Sequence, residues 1–383
     1  MSGPIRVLEL RSVRGTGGGP EKTILQGAAA ADPCRYAMTV CYLRAQEDPL
    51  FGIGERAAGL GIDYHEIAER HPLDSGVLSA LRRLVRQRGI EIVHAHDYKA
   101  DLLAWLLART EQVAPLATVH GWTGHSRRER WLYYPLDKRL LGRFPRLIAV
   151  SGAIRRELLR RGVRPEHVKT ILNGIDPWAF RRDPARGPAV RAALGLALDD
   201  IVLGAVGRLE PQKRFDRLLE VFVDLRRNHP RLRLVLVGEG SLRGELAAAA
   251  RRLGVEKDCH LLGQRSDVAD LHHAFDLFVQ SSDYEGTPNV VLEAMALETP
   301  IVATAAGGTA ELIEDGVQGL IVPPGDLVRL REAIERALTD REATAQRAAA
   351  ARALVEGPLS FEARMRAVEA VYEELSARDG RCR

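Results

Sequence analysis

Short apolar runs alternate with stretches of helical periodicity from one end of the 383-residue chain to the other. That alternation predicts parallel sheets with crossover helices. In the first half the runs Ile5 to Leu10, Ala37 to Tyr42, Ile90 to Ala95, Pro115 to His120, Arg146 to Ser151 and Val168 to Leu172 read as strands. Their counterparts in the second half are Ile201 to Val206, Leu232 to Val237, Cys259 to Leu262, Leu277 to Gln280, Pro300 to Ala303 and Gly319 to Val322. The expected fold class is α/β, two Rossmann-like domains facing an interdomain cleft. Ligands of open α/β sheets bind beyond the carboxyl ends of the strands, so chemistry is sought just after them.

Between the halves, Asp176 to Pro188 carries three prolines and no apolar periodicity, the mark of a connecting segment. The expected organisation is a first domain over 1–178, a linker over 179–199, a second domain over 200–358 and a C-terminal helix over 359–383 free to pack back on the first domain. A composition of 46% hydrophobic and 28% charged residues is that of a globular protein with two ordinary cores. The longest purely apolar run, Leu102 to Ala108, falls far short of the roughly 20 residues of a membrane helix. Met1 to Leu10 lacks both a basic n-region and an apolar h-region, which predicts a cytoplasmic protein. Cys34, Cys41, Cys259 and Cys382 are scattered without CxxC pairing, as expected of reduced thiols. A net charge of +4 permits phosphate or anionic-lipid partners and gives no argument for nucleic acid.

The most informative stretch runs from Ser281 to Ala296, where the strand Leu277 to Gln280 enters a polar turn with Gly286 and Pro288 before an amphipathic helix. A strand-to-helix turn offers unpaired amides and the positive end of a helix dipole, an anion site that needs no cationic side chain. Glu285 lies before that end and Glu293 inside the helix. Carboxylates flanking an anion site repel phosphate, so they suit hydroxyls on a ligand that carries both phosphate and sugar. Even on one continuous helix the two acids would stand about 12 Å apart, beyond the roughly 5 to 9.5 Å of a glycosidase pair. Asp283 and Glu285 also invite a metal reading, but two acids alone make a thin site, and no metal is expected.

Gly207-Arg208-Leu209-Glu210-Pro211-Gln212-Lys213 follows another strand. Two cations there are placed to hold a diphosphate as it gains charge. Gly15 to Thr23 follows the first strand; its Gly17, Gly18 and Gly19 allow a ligand close to the backbone, and Pro20 suits the first turn of a helix. Glu21 stands where a nucleotide P-loop needs Gly, and Pro20 replaces the last Gly of a dinucleotide fingerprint. Gly238 to Gly244 has one residue too many for that fingerprint.

His120 closes one strand and His94 and His96 close another; alternation puts the latter two on one face, yet no third ligand lies near in sequence. Hydrogen bonding at a strand end is the better account for His94, and His120 is the better functional candidate. Around Arg127, Arg128, Arg130, Trp131, Lys138 and Arg139, basic residues interleave with aromatics. That patch suits a helix lying on the inner face of the plasma membrane, or equally a solvated face of an Arg-rich protein.

Taken together, Glu285-x7-Glu293, Gly207-Arg208 with Lys213, the glycine loop after strand one, His120-Gly121, Ala149-Val150-Ser151 and Asn173-Gly174-Ile175-Asp176 resemble the retaining GT-B glycosyltransferases of family four, over nearly the whole chain. The resemblance implies transfer of a sugar from a nucleotide-sugar donor to a glycan or lipid-linked acceptor, without a cofactor. It implies that Glu293 binds the nucleotide ribose and Glu285 the donor sugar, with Gly286, Thr287, Pro288, Asn289, Val290 and Val291 lining sugar and diphosphate. It further implies that Arg208 and Lys213 neutralise the leaving diphosphate, with His120 and Gly17 to Gly19 near the reacting centre. A sugar-nucleotide epimerase of the same architecture and a non-catalytic nucleotide-sugar sensor are the alternatives.

Overall fold

The computed structural model describes residues 3–13, 15, 17–71, 74–122 and 133–379. Two compact units divide the chain, one formed by Met1–Leu172 with Arg364–Arg383 and the other by Asn173–Ala363.

The first unit holds β1 (Ile5–Ser12), β2 (Tyr36–Ala45), β3 (Asp63–Glu69), β4 (Ile92–Ala95), β5 (Ala114–Val119), β6 (Arg146–Ala149) and β7 (Val168–Thr170) in the order β3-β2-β1-β4-β5-β6-β7. All its pairings are parallel, and the register sets Glu9 of β1 opposite His94 of β4. Neighbouring residues of a strand point to opposite faces, so both faces of this sheet demand apolar cover. Leu8, Leu10 and Val93 meet Leu81 and Leu84 of the helix Ser75–Arg88 and Leu103 and Leu107 of the helix Tyr98–Thr110. Val7, Ile92, Leu116 and Ile148 meet Val368, Val371, Tyr372 and Leu375 of the C-terminal helix Phe361–Asp379.

The second unit holds β8 (Ile201–Val206), β9 (Leu232–Val237), β10 (Cys259–Leu261), β11 (Leu277–Gln280), β12 (Ile301–Thr304) and β13 (Leu320–Val322), again all parallel, in the order β10-β9-β8-β11-β12-β13. Leu203, Leu234 and Leu277 pack on Phe215, Leu218 and Phe222 of the helix Phe215–Arg226. On the opposite face Val202 and Val235 pack on Leu271 and Phe275. In each sheet the order reverses beside the first strand, at β1/β4 and at β8/β11, the points where a doubly wound sheet opens a ligand crevice.

Three features depart from the expectation. Strand β3 was not foreseen, because Asp63–Glu69 is a half-exposed edge strand with no apolar run to mark it. Most of the segment 179–199, expected as a linker, is tied to the second unit. It carries the helix Arg186–Ala193, and Arg191 Nη2 lies 2.7 Å from Asp276 Oδ2. The division falls after Leu172 rather than 178, since the Ile175 amide donates to Leu359 O at 3.1 Å within the second unit. Among the described residues Cys34, Cys41 and Cys259 are free thiols, and no helix is long and apolar enough to cross a membrane.

Candidate active site

In the second unit the residues singled out by the sequence gather where β8 and β11 end. Gly207 follows β8, and the chain passes exposed Arg208 into a short turn, Pro211–Lys213. That turn sends Lys213 Nζ to within 2.6 Å of Oε1 of buried Glu285, in the loop after β11. Ser282 Oγ donates to the same carboxylate oxygen at 2.5 Å. Asp283 instead pairs with Arg214 at 3.2 Å and Arg217 at 3.4 Å, so the two acids do not converge on a shared cation.

The turn around Glu285 is held from several sides. Gln212 Nε2 donates to Tyr284 O at 2.6 Å, and the Asp283 amide donates to Gln212 O at 2.9 Å. Asn173 Nδ2 donates to Thr287 O at 3.1 Å and to Asn289 Oδ1 at 2.9 Å. From the loop after β12 the Gly308 amide donates to Gly286 O at 2.8 Å. Beside it Gly307 has φ +55, and a Cβ there would stand 1.8 Å from Glu285 O. Only glycine tolerates both demands.

After Pro288 the helix Asn289–Ala296 begins with no side-chain cap and no acid in its first turn. Its leading amides and dipole are therefore directed at the loop in the manner of an anion site. Val290 is half-buried, whereas Val291 and Glu293 are buried within the helix. At the far end Arg352 donates through Nη1 to Ala296 O and, at 2.7 Å, to Phe180 O, a cation on the negative end of the dipole. Gly238 and Gly240 form a backing wall: a Cβ on Gly238 would stand 1.9 Å from Gly207 O. Their spacing serves the path of the Gly207–Leu209 backbone.

The first unit brings together a second set at β1/β4. The register that opposes Glu9 to His94 also puts His96 in reach, and Glu9 Oε2 accepts from His96 Nε2. Glu9 Oε1 accepts from the Tyr372 hydroxyl at 2.8 Å, and His94 Nδ1 is 2.8 Å from that hydroxyl. His94 Nε2 meets Thr118 Oγ1 at 2.7 Å, while His96 Nδ1 lies 3.3 Å from Nε2 of half-buried His120. Burial alone would raise the Glu9 carboxyl, but the neighbouring imidazoles outweigh it and hold it well below the usual range. His96 is pushed down to about 4, by burial first and His94 next. Burial, with Arg11 and His96 adding to it, pushes His120 well below its ordinary value. Neutral His96 and His120 imidazoles near an ionised Glu9 carboxylate are the result.

Ligating atoms of Glu9, His94 and His96 lie within 4.8 Å of one another. Glu9 is thus the third partner that sequence proximity did not supply. Each of these atoms, however, already makes a hydrogen bond inside the group.

The glycine loop is fixed by Glu21, the residue that stands where a P-loop needs glycine. Buried Glu21 accepts from the Gly18 amide at 2.5 Å and from Arg11 Nε, and Arg11 Nη1 donates to His96 O at 2.7 Å. The Gly18 amide is therefore occupied, while Gly19 opens the helix Gly19–Ala30.

Residues 188–354 match the family described as Glycosyl transferases group 1, and residues 17–178 match Glycosyltransferase Family 4. The chain is 31% identical over 304 residues to the glycogen synthase of Mycobacterium tuberculosis, covering 76% of this chain and 70% of that one. It belongs to the group 1 glycosyltransferases. Another relative is the UDP-Gal:alpha-D-GlcNAc-diphosphoundecaprenol alpha-1,3-galactosyltransferase of Escherichia coli, 28% identical over 276 residues, 70% of this chain and 71% of that one. Among solved structures, Anabaena HepE in complex with UDP-glucose superposes with a TM-score of 0.84 at 24% identity, over 97% of this chain and 100% of that one. The architecture is GT-B, two Rossmann-like parallel-sheet domains.

For this glycosyltransferase several site residues escaped the sequence reading. Glu9, Glu21 and Gly307 act through contacts distant in sequence or through backbone carbonyls. A single acid inside the apolar run Val7-Leu8-Glu9-Leu10 was the one available signal for Glu9. Of the basic aromatic patch, Arg127, Arg128, Arg130 and Trp131 lie outside the described residues. Lys138 is engaged within its own unit, 2.9 Å from Glu157 and 4.3 Å from the Trp122 ring centroid, whereas Arg139 is exposed.

Proposed function

We propose that the protein is a retaining glycosyltransferase that moves a sugar from a nucleotide-sugar donor to a glycan or lipid-linked acceptor. The observation carrying this reading is the meeting of Lys213 with Glu285 beside an uncapped helix N-terminus, at the switch point of a parallel sheet. A cation for phosphate, a carboxylate for hydroxyls and the positive end of a helix dipole between them match the two halves of a nucleotide sugar. That HepE holds UDP-glucose and the E. coli relative is named for UDP-Gal supports a uridine diphosphate sugar first.

In this reading Glu293 takes the ribose hydroxyls and Glu285 the sugar hydroxyls. Gly207 gives the diphosphate room, and Gly286 to Val291 line the sugar and its phosphates. Arg208 and Lys213 stabilise charge on the departing diphosphate, the largest lever available to such a site. His120 and the Gly17 to Gly19 loop work at the reacting sugar. Two cations on the diphosphate leave no step that requires a metal ion. The acceptor hydroxyl attacks the face that the leaving group departs from, so the anomeric configuration is kept and no protein nucleophile is used.

Thermal melting against UDP-, GDP- and ADP-sugars tests the donor. A ligand that binds only the native state raises the midpoint with its concentration, so one base should stand out. Transfer from that donor to lipid-diphosphate and glycan acceptors then gives a product whose anomeric configuration, read by NMR, equals the donor's. Inversion, or no response to any nucleotide sugar, overturns the reading.

A further inference from the structure

We propose that Glu9 and His96 are positioning residues that hold His120 in one tautomer, with its proton on Nε2 and Nδ1 left as a hydrogen-bond acceptor for a sugar hydroxyl. Only the last part, the substrate contact, rests on the function proposed above; the tautomer itself follows from donor and acceptor accounting.

Tyr372 has one hydroxyl proton, and it goes to Glu9 Oε1 at 2.8 Å. His94 Nδ1, 2.8 Å from the same hydroxyl, must then be the donor, and His94 Nε2 accepts from Thr118 Oγ1 at 2.7 Å. An ionised Glu9 has only lone pairs to offer, so His96 carries its proton on Nε2 and donates it to Glu9 Oε2. His96 Nδ1 is thereby a lone pair, and the 3.3 Å contact with His120 Nε2 forms only if His120 supplies the proton.

Burial enforces this choice. Glu9, His94, His96, Thr118 and Tyr372 are each less than a tenth exposed, and reversing either bond to the ionised Glu9 would leave two acceptors face to face. Buried Arg364 lines the same small cavity as Glu9 and Tyr372, where its charge favours the ionised carboxyl. The cavity, about 10 Å³, has room for no more than one water.

Two-bond proton–nitrogen correlation on the full chain labelled with nitrogen-15 at histidine reads the tautomer directly, with His120 assigned by the signals lost in His120→Asn. Wild type should show His120 Nε2 as the protonated nitrogen and Nδ1 as the bare one. In Glu9→Gln the new amide can also donate to His96 Nε2, which permits the reversed chain. His120 Nδ1 should then gain proton character, while kcat falls about tenfold, the scale of one neutral hydrogen bond, and the donor KM stays within about twofold. Tyr372→Phe removes the other partner of Glu9 and should leave the His120 tautomer as in wild type, which separates a relay from general loosening. A wild-type His120 protonated on Nδ1, or a Glu9→Gln spectrum unchanged at His120, overturns the relay. A normal kcat in Glu9→Gln alongside the tautomer change overturns the substrate contact. Absence of transfer in wild type would count against the proposed function, and the spectra would still decide the tautomer.

Discussion

Lys213 Nζ stands 2.6 Å from Glu285 Oε1, and both side chains are at most about an eighth exposed. Two groups assigned to neighbouring parts of a donor, its diphosphate and its sugar, thus touch each other first. Donor binding has to share or part this pair, which gives it a measurable signature. Lys213→Ala should lower stability by about 2 kcal/mol, because it leaves the Glu285 carboxylate buried with, among the described residues, the Ser282 hydroxyl as its remaining side-chain partner. Adding Glu285→Ala should restore part of that loss in urea melts and restore none of the transfer. A double variant no more stable than Lys213→Ala would refute the coupling.

Transfer itself should depend on charge at the loop. Arg208→Ala and Lys213→Ala should each reduce kcat by about 10² to 10³, the scale of removing one preorganised charge partner. Glu293→Ala should weaken donor binding instead, seen as a lost melting shift with UDP-sugar. Near wild-type rates in all three, with the fold intact by circular dichroism, would remove this loop from the chemistry.

Gly307→Ala should cost about 2 kcal/mol or more and abolish the donor-induced melting shift, since its Cβ would push on Glu285 O from a left-handed backbone. Gly244→Ala is the control. A Cβ at Gly244 meets nothing within 4 Å, and the residue lies in the helix Arg243–Arg252. That change should add roughly 0.5 to 1 kcal/mol.

Asp101 and Asp137 meet between the helices Tyr98–Thr110 and Tyr134–Leu141, and Trp122 Nε1 donates to Asp137 Oδ2 at 3.0 Å. Burial, then the charge of Asp137, holds the Asp101 carboxyl well above its usual range, and burial pushes Asp137 up to about 6. Folded carboxyls raised above their unfolded values stabilise fully at low pH and lose that contribution as pH rises through the raised value. Thermal stability should therefore fall as pH climbs from the ordinary carboxyl value of 3.8 to about 6. Asp101→Asn, which keeps a donor for Asp137 without the second charge, should flatten the fall. An unchanged pH profile in that variant would show that the pair does not carry the dependence.

Metal removal supplies a further check. Chelation with EDTA should leave transfer unchanged if Arg208 and Lys213 carry the diphosphate charge; restoration by a divalent cation would assign that charge elsewhere.

What the sequence could and could not reveal follows from where information sits. Strands β8, β9 and β11 were legible to the residue because buried parallel strands are mostly apolar runs. The start of the helix at Asn289 followed from Gly286 and Pro288. Strand β3 was hidden because an edge strand needs no apolar run, and Gly307 because its task is to touch a carbonyl 22 positions earlier. Lys213 and Glu285 were each legible as candidates, yet nothing local announced that they would pair across 72 residues. His96 needed Glu9, 87 residues away, before its orientation meant anything.

The helix Phe361–Asp379 closes one face of the first sheet and brings Tyr372 to Glu9. During synthesis that face, with Val7, Ile92, Leu116 and Ile148, leaves the ribosome long before its cover does. The unit begun first is therefore finished last, and its buried carboxylate waits for the whole second unit to be translated. A fragment ending at Leu172 should be sticky and aggregation-prone, whereas a circular permutant joining the C-terminal helix ahead of β1 would let the same sheet close as it emerges.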